Sequence, residues 1–237
     1  MQRKSSHKLN LISRLIIIIL APIICIISSF SLDNSQYYIP SVALITLAIL
    51  SFYLSFESKK IKTAELVILA IMVCLCVCSR TFFAFVPQIK PLCAFVCITG
   101  ICLGANAGFI VGSLSMFLSN FFFGQGAYTA FQMLGMGLVG FLCGLVFYKK
   151  TLSKKKILTS LICGAFCFFV YGILVDLSSV LLFIADMNFS SVLAIFVSGI
   201  GFNLLHALAT MVIVYFINEP MQKKFTRLRV KYEIFDF

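Results

Sequence analysis

Hydrophobic positions in this chain run in long blocks separated by short polar breaks, with neither the strict alternation of a half-buried strand nor the single apolar stripe of a surface helix. Blocks at residues 11–32, 38–56, 64–79, 130–148, 157–177 and 192–217 approach or exceed the roughly 20 residues needed to cross about 30 Å of hydrocarbon. A further block, 92–123, is too long for one span. It contains Leu103-Gly104-Ala105-Asn106-Ala107-Gly108, so it reads either as one very long helix or as a short helix 92–103 followed by 105–123. The choices give seven or eight spans.

Composition makes the membrane reading firm. Of 237 residues, 61% are apolar and 11% charged, with a mean hydropathy of +1.08, whereas a soluble domain is close to half apolar and a quarter charged. The chain is predicted to be an all-α integral membrane protein. Its net charge of +11 would suit a nucleic-acid partner in a soluble protein, but here the cations report orientation, because Lys and Arg concentrate in cytoplasmic loops. With eight spans and both termini cytoplasmic, the groups Arg3 to Arg14, Lys59 to Lys62, Lys149 to Lys156 and Lys223 to Lys231 all lie inside. Only Arg80 and Lys90 of the 19 cations then fall outside. With seven spans the last two groups move outside, so eight is the preferred count. The first block has a basic leader like a signal peptide, but it runs past the usual length with no clear cleavage site and is read as a span.

The ten cysteines all fall in apolar blocks, where Cys behaves as a small hydrophobe. No CxxC pair or zinc-type Cys/His spacing occurs along the chain, so no metal or cofactor is expected. Residues 1–58 form an N-terminal transmembrane hairpin, rich in Ile and Ser. Residues 59–237 contain all 14 glycines and nearly all the polar side chains at membrane depth, and are expected to be the functional body. Gly100, Gly104, Gly108 and Gly112 recur every four residues, a spacing that lets helix backbones approach closely. Tight packing is the preferred explanation, although short or Gly-interrupted helices at membrane depth also point to transport sites.

The unusual chemistry lies toward the outer face. Arg80 and Lys90 bracket Thr-Phe-Phe-Ala-Phe-Val-Pro-Gln-Ile, and a second outer segment reads Ser119-Asn120-Phe121-Phe122-Phe123-Gly124-Gln125-Gly126. Aromatic rings with a few placed amides suit a small-molecule pocket, and equally an interfacial aromatic belt with a glycine turn. Deeper in the spans sit Asn106, Gln132, Asn203 and His206, where a polar side chain is a functional candidate by default. A lone His206 without a carboxylate or Cys partner argues against metal or general-base work, and a bond to a neighbouring helix explains it as well. Asp176 and Asp186 are explained by solvation at a helix end.

Taken in order, these residues resemble a known family. A basic start at Lys59, Lys60 and Lys62, a helix ending in Arg80-Thr-Phe-Phe, the Lys90-Pro91 pair, a short helix, the Gly104 to Gly108 break and the Ser119 to Gly126 block resemble the substrate-binding S component of energy-coupling factor (ECF) transporters. The Ser-Asn-Phe-Phe-Phe-Gly-Gln-Gly block is most similar to the cobalamin-type branch. The resemblance covers residues 59–237 and implies a six-helix body, to which residues 1–56 are an addition. After Gly126 this chain has Ala127, Tyr128, Thr129 and Ala130, and no Trp anywhere, where relatives often carry Pro and Trp.

The resemblance implies a non-enzymatic vitamin-binding subunit, with cobalamin or a related corrinoid as the first expectation and riboflavin as the alternative. Its partners would be a transmembrane coupling protein and two cytoplasmic ATPases, in a bacterial plasma membrane. The chain itself has no phosphate-loop motif. Arg80, Phe83, Asn120, Phe123, Gln125 and Gln132 are the expected vitamin site, with Asn203 and His206 below it. Ala70, Cys74 and Cys78, four apart on one helix face, match the small-residue stripe that contacts the coupling protein. A membrane-embedded hydrolase is disfavoured because no nucleophile motif is present, and a channel or facilitator because no filter signature is.

Overall fold

The computed structural model describes residues 63–87, 89–183 and 188–233, with a few isolated positions before residue 63. The expected N-terminal hairpin and Asp186 lie outside the described residues. Every regular element among the described residues is helical: α1 (Thr63–Phe82), α2 (Leu92–Leu103), α3 (Ala105–Phe123), α4 (Tyr128–Phe147), a 3₁₀ turn (Thr151–Lys154), α5 (Lys156–Phe166), a π-helical segment (Cys167–Gly172), α6 (Ile173–Phe183) and α7 (Phe189–Tyr232). The segment from α5 to α6 is one continuous apolar helix, so the body has six helices, five of them long and apolar enough to cross a membrane.

The block that was too long for one span does break at Gly104. This residue adopts φ 103°, a backbone conformation that costs glycine nothing. The N–H of Gly104 still closes the end of α2 on the carbonyl of Gly100, and α3 begins one residue later. At about 1.5 Å per residue, the 12-residue α2 is only about 18 Å long. It is shielded on all sides, since all but one of its residues are buried.

The four-residue glycine spacing is used for contact between backbones. A methyl group on Gly108 would meet the carbonyl carbon of Gly140 at 2.6 Å, and one on Gly112 the carbonyl oxygen of Met136 at 2.5 Å. A methyl group on Gly144 would meet the backbone of Gly104 at 2.7 Å. These glycines thus draw α2, α3 and α4 into one seam, with Phe109, Phe141 and Phe147 fully buried beside it. In the absence of a solvent-driven hydrophobic effect between helices in lipid, such close packing is what holds a bundle together.

α7 departs most from expectation. An apolar span over 192–217 was predicted, yet the helix continues through the polar tail for 44 residues and contains Pro220. Tertiary contacts hold the extension. Glu219 pairs with Lys156 at 2.5 Å and with Lys223 at 2.7 Å, Gln222 donates to the carbonyl of Ser153 at 3.1 Å, and Arg229 donates to the carbonyl of Cys102 at 2.6 Å. At its start, the Asn188 side chain accepts from the Ser191 N–H, a regular N-cap. Leu204, Leu205, Leu208, Val212 and Phe216 of α7 are exposed and form an apolar outer face suited to lipid.

Candidate functional site

Arg80, in the last turn of α1, organises the site. Its Nη1 donates to Oδ1 of Asn120 at 2.7 Å and to Oγ of Ser119 at 2.5 Å, both on α3. Its guanidinium lies 4.6 Å from the centre of the Phe123 ring, a cation–π arrangement. Asn120, 1% exposed, passes the connection on: its Nδ2 donates to Oε1 of Gln132 on α4 at 2.8 Å and to Oγ1 of Thr129 at 3.2 Å. Three helices are thereby tied by one polar chain running Arg80, Asn120, Gln132.

Lys90, the other cation on the sparsely charged side, converges on the same place. Its Nζ donates to the carbonyls of Phe83, Ala84 and Val86, closing the turn between α1 and α2, and stands 5.9 Å from the Phe123 ring. Desolvation, with a contribution from the neighbouring Arg80 charge, holds its ammonium pKa below the usual lysine range.

A cavity of about 370 Å³ opens beneath these groups. One wall is made by Arg80, Leu92, Met116, Gln132 and Met136, and the facing wall by Tyr171, Asp176, Gly199, Asn203 and His206. On the second wall, Nδ2 of Asn203 donates to Oδ2 of Asp176 at 2.8 Å. Gly199 makes room for that carboxylate, since a methyl group there would lie 2.6 Å from it. The Tyr171 and His206 rings meet edge to face, with centres 5.5 Å apart. Nε2 of His206 is buried without a hydrogen-bond partner.

Of the residues expected to form the site, Arg80, Gln132, Asn203 and His206 line the cavity. Asn120 and Phe123 stand behind Arg80 and hold it. Gln125 is a loop brace, donating to the carbonyl of Phe117 at 2.9 Å and accepting from Thr129 at 3.0 Å. Phe83 packs on Phe82, off the cavity, and Asn106 falls in the first turn of α3, at the other end of that helix from Asn120. Sequence reasoning passed over Tyr171, Met116 and Met136, and it assigned Asp176 to solvent. That assignment is corrected: Asp176 is only 9% exposed and faces Asn203 inside the cavity. The predicted span stopped at residue 177, whereas the helix continues to Phe183, so Asp176 lies inside it rather than at its end.

The cysteines also need revision. Spacing along the chain gave no metal-type cluster, but folding brings Cys93, Cys167 and His206 together, and separately Cys97, Cys143 and Cys163, with all ligand atoms in each trio within 4.8 Å of one another. His206 is therefore not without a Cys partner. Ala70, Cys74 and Cys78 lie on the exposed face of α1, opposite its buried residues Leu69, Met72, Val73 and Cys76.

A larger cleft of about 680 Å³ lies at the lysine-rich end, between the α5 start and α7. Its charged residues Lys156, Glu219 and Lys223 already pair with one another, which makes it a weaker candidate for a ligand.

A six-helix membrane body with a polar and aromatic cavity near one end of the bundle is a membrane-embedded binding protein. Residues 60–223 match the family model described as ECF-type riboflavin transporter, S component, and the chain belongs to this family of transporter components. The match supports the S-component class, with an ECF module as its partner, but not the cobalamin-type branch. No curated protein and no solved structure matches the chain.

Proposed function

We propose that the chain is a riboflavin-binding S component, which captures the vitamin at the outer membrane face in the 370 Å³ cavity and delivers it inward with the ATP-driven ECF module. The observation that carries the reading is the cavity's chemistry. Tyr171, Met116, Met136 and Phe202 offer apolar and polarizable surface for a planar ring system, while Arg80, Gln132, Asp176 and Asn203 converge from two walls to meet carbonyl, imide and hydroxyl groups. Its volume lies in the range of drug-sized ligand sites. A corrinoid, expected at first from the resemblance, is several times larger than a flavin, and neither the cavity size nor the family model favours it.

Residues 59–237 would form the binding body and residues 1–58 an added hairpin, giving eight spans with both termini in the cytoplasm of a bacterial cell. Ala70, Cys74 and Cys78 would meet the coupling protein. The test is titration of detergent-purified protein with riboflavin, followed by quenching of flavin fluorescence, in competition with cyanocobalamin. Saturable quenching that cyanocobalamin leaves unchanged is the expected result. Tight corrinoid binding with no flavin response would overturn the substrate, and binding of neither would remove the cavity from vitamin transport.

A further inference from the structure

We propose that Cys93, Cys167 and His206 form a site for a zinc-class divalent metal ion in the membrane interior, beside the vitamin cavity. The inference does not depend on which vitamin is bound. The three ligands come from three separate helices, α2, the π-helical segment and α7, and are 0%, 1% and 8% exposed. Two thiols and an imidazole are the donor set of a tetrahedral zinc centre that keeps one position open.

Their ligand atoms lie within 4.8 Å of one another. Zinc bond lengths to S and N call for separations of about 3.6–3.8 Å, so side-chain rotation of about 1 Å closes the set. The Nε2 of His206 is buried with no hydrogen-bond partner, and a metal bond through that nitrogen would satisfy it. His206 also lines the cavity, so the trio borders that space.

Two supporting features surround the trio. Thr210, fully buried, donates to the carbonyl of His206 at 2.9 Å with Sγ of Cys167 3.6 Å from the same oxygen, so one hydroxyl touches two of the three ligand residues. The π-helical turn that begins at Cys167 is a geometry often found at functional sites. It also carries Tyr171, whose ring packs edge-on against His206.

Charge balance favours a divalent ion. Binding takes one M²⁺, two Cys thiols and one neutral imidazole to a neutral complex and releases two protons to solvent. A neutral complex avoids the penalty of placing net charge in hydrocarbon, whereas a monovalent soft ion would leave one negative charge buried.

The test uses the full-length protein, purified in mild detergent and kept reduced and anaerobic, titrated with Co²⁺. One equivalent should produce thiolate-to-cobalt charge transfer and the visible bands of tetrahedral cobalt, with two protons released per metal, and Zn²⁺ should bleach the signal. Cys93→Ser, Cys167→Ser and His206→Gln should each weaken binding about tenfold or more, and Thr210→Val, a near-isosteric change, should do so about tenfold by loss of the supporting hydroxyl. Cys143→Ser, in the other cysteine trio, should leave the spectrum unchanged. If a Cys variant fails to fold, His206→Gln and Thr210→Val carry the test. No sulfur-to-metal band in the wild type would overturn the site. So would a band whose affinity is unchanged by loss of Cys93, Cys167 or His206, or one that is weakened only by loss of Cys143.

Discussion

The Arg80 guanidinium and the Asn120 side-chain oxygen meet at 2.7 Å across 40 residues of sequence, and this contact positions the charged wall of the cavity in which vitamin binding is proposed. Asn120 is oriented by its two donations to Thr129 and Gln132, so its oxygen is left facing Arg80. Replacing Arg80 by Ala should lower riboflavin affinity by about 10- to 100-fold, because a hydrogen bond from a charged donor contributes about 1.5–3 kcal/mol. Arg80→Lys should fall between, since an ammonium keeps the charge but lacks the planar guanidinium that lies over the Phe123 ring. Fluorescence titration of the variants against wild type measures both, and wild-type affinity in Arg80→Ala would exclude the residue from the site.

Asp176 and Asn203 should matter for binding although they stand on the opposite wall. Asp176→Leu removes the acceptor of Asn203 and should weaken riboflavin binding at least about tenfold, the scale of one lost polar partner. Gly199→Ala should act in the same direction by pushing the carboxylate from its place, while Asp176→Asn keeps an oxygen for Asn203 and should recover part of the loss. Equal affinity in all three would show that the ligand never reaches this wall.

The glycine seam predicts a contrast within one residue type. Gly108→Ala and Gly112→Ala drive a methyl group into backbone atoms of α4, and overpacking of this kind costs about 1–3 kcal/mol. Gly201→Ala meets nothing within 4 Å and should be neutral or slightly stabilising, because alanine favours helix. Melting temperatures in detergent should therefore fall for the first two and hold for the third.

Coupling should be separable from binding. Ala70 lies on the exposed face of α1, far enough from the cavity residues that Ala70→Trp should leave riboflavin affinity unchanged while abolishing co-purification with the coupling protein. Wild-type yield of the complex would remove the Ala70, Cys74 and Cys78 face from the interface.

How much of this was legible in the sequence depends on the physical range of each signal. Helix number in the body, the break at Gly104 and the close packing of Gly100 to Gly112 are properties of local hydropathy and of side-chain size at a four-residue spacing, and they were read correctly. The two cations outside the positive-inside pattern, Arg80 and Lys90, both line the 370 Å³ cavity. Pairings between distant helices were not readable: nothing near Asp176 announces Asn203, 27 residues on, and nothing near Cys93 announces Cys167. Asp176 was placed in solvent because the apolar block stops at residue 177, whereas the helix runs on to Phe183. The Gln125 amide drew attention because polar groups are rare there, and it bridges Phe117 of α3 and Thr129 of α4.

The seam of α2, α3 and α4 has a consequence for how a ligand gets in. Those helices touch through main-chain atoms, which neither compress nor rotate aside, so the wall bearing Leu92, Met116 and Gln132 behaves as a fixed jamb. The facing wall is carried by the π-helical turn, α6 and α7, and the outward side of α7 is exposed and apolar among the described residues. A ligand in the cavity would therefore meet one wall fixed by main-chain contacts and one, bearing Asp176 and Asn203, that is joined to it through side chains.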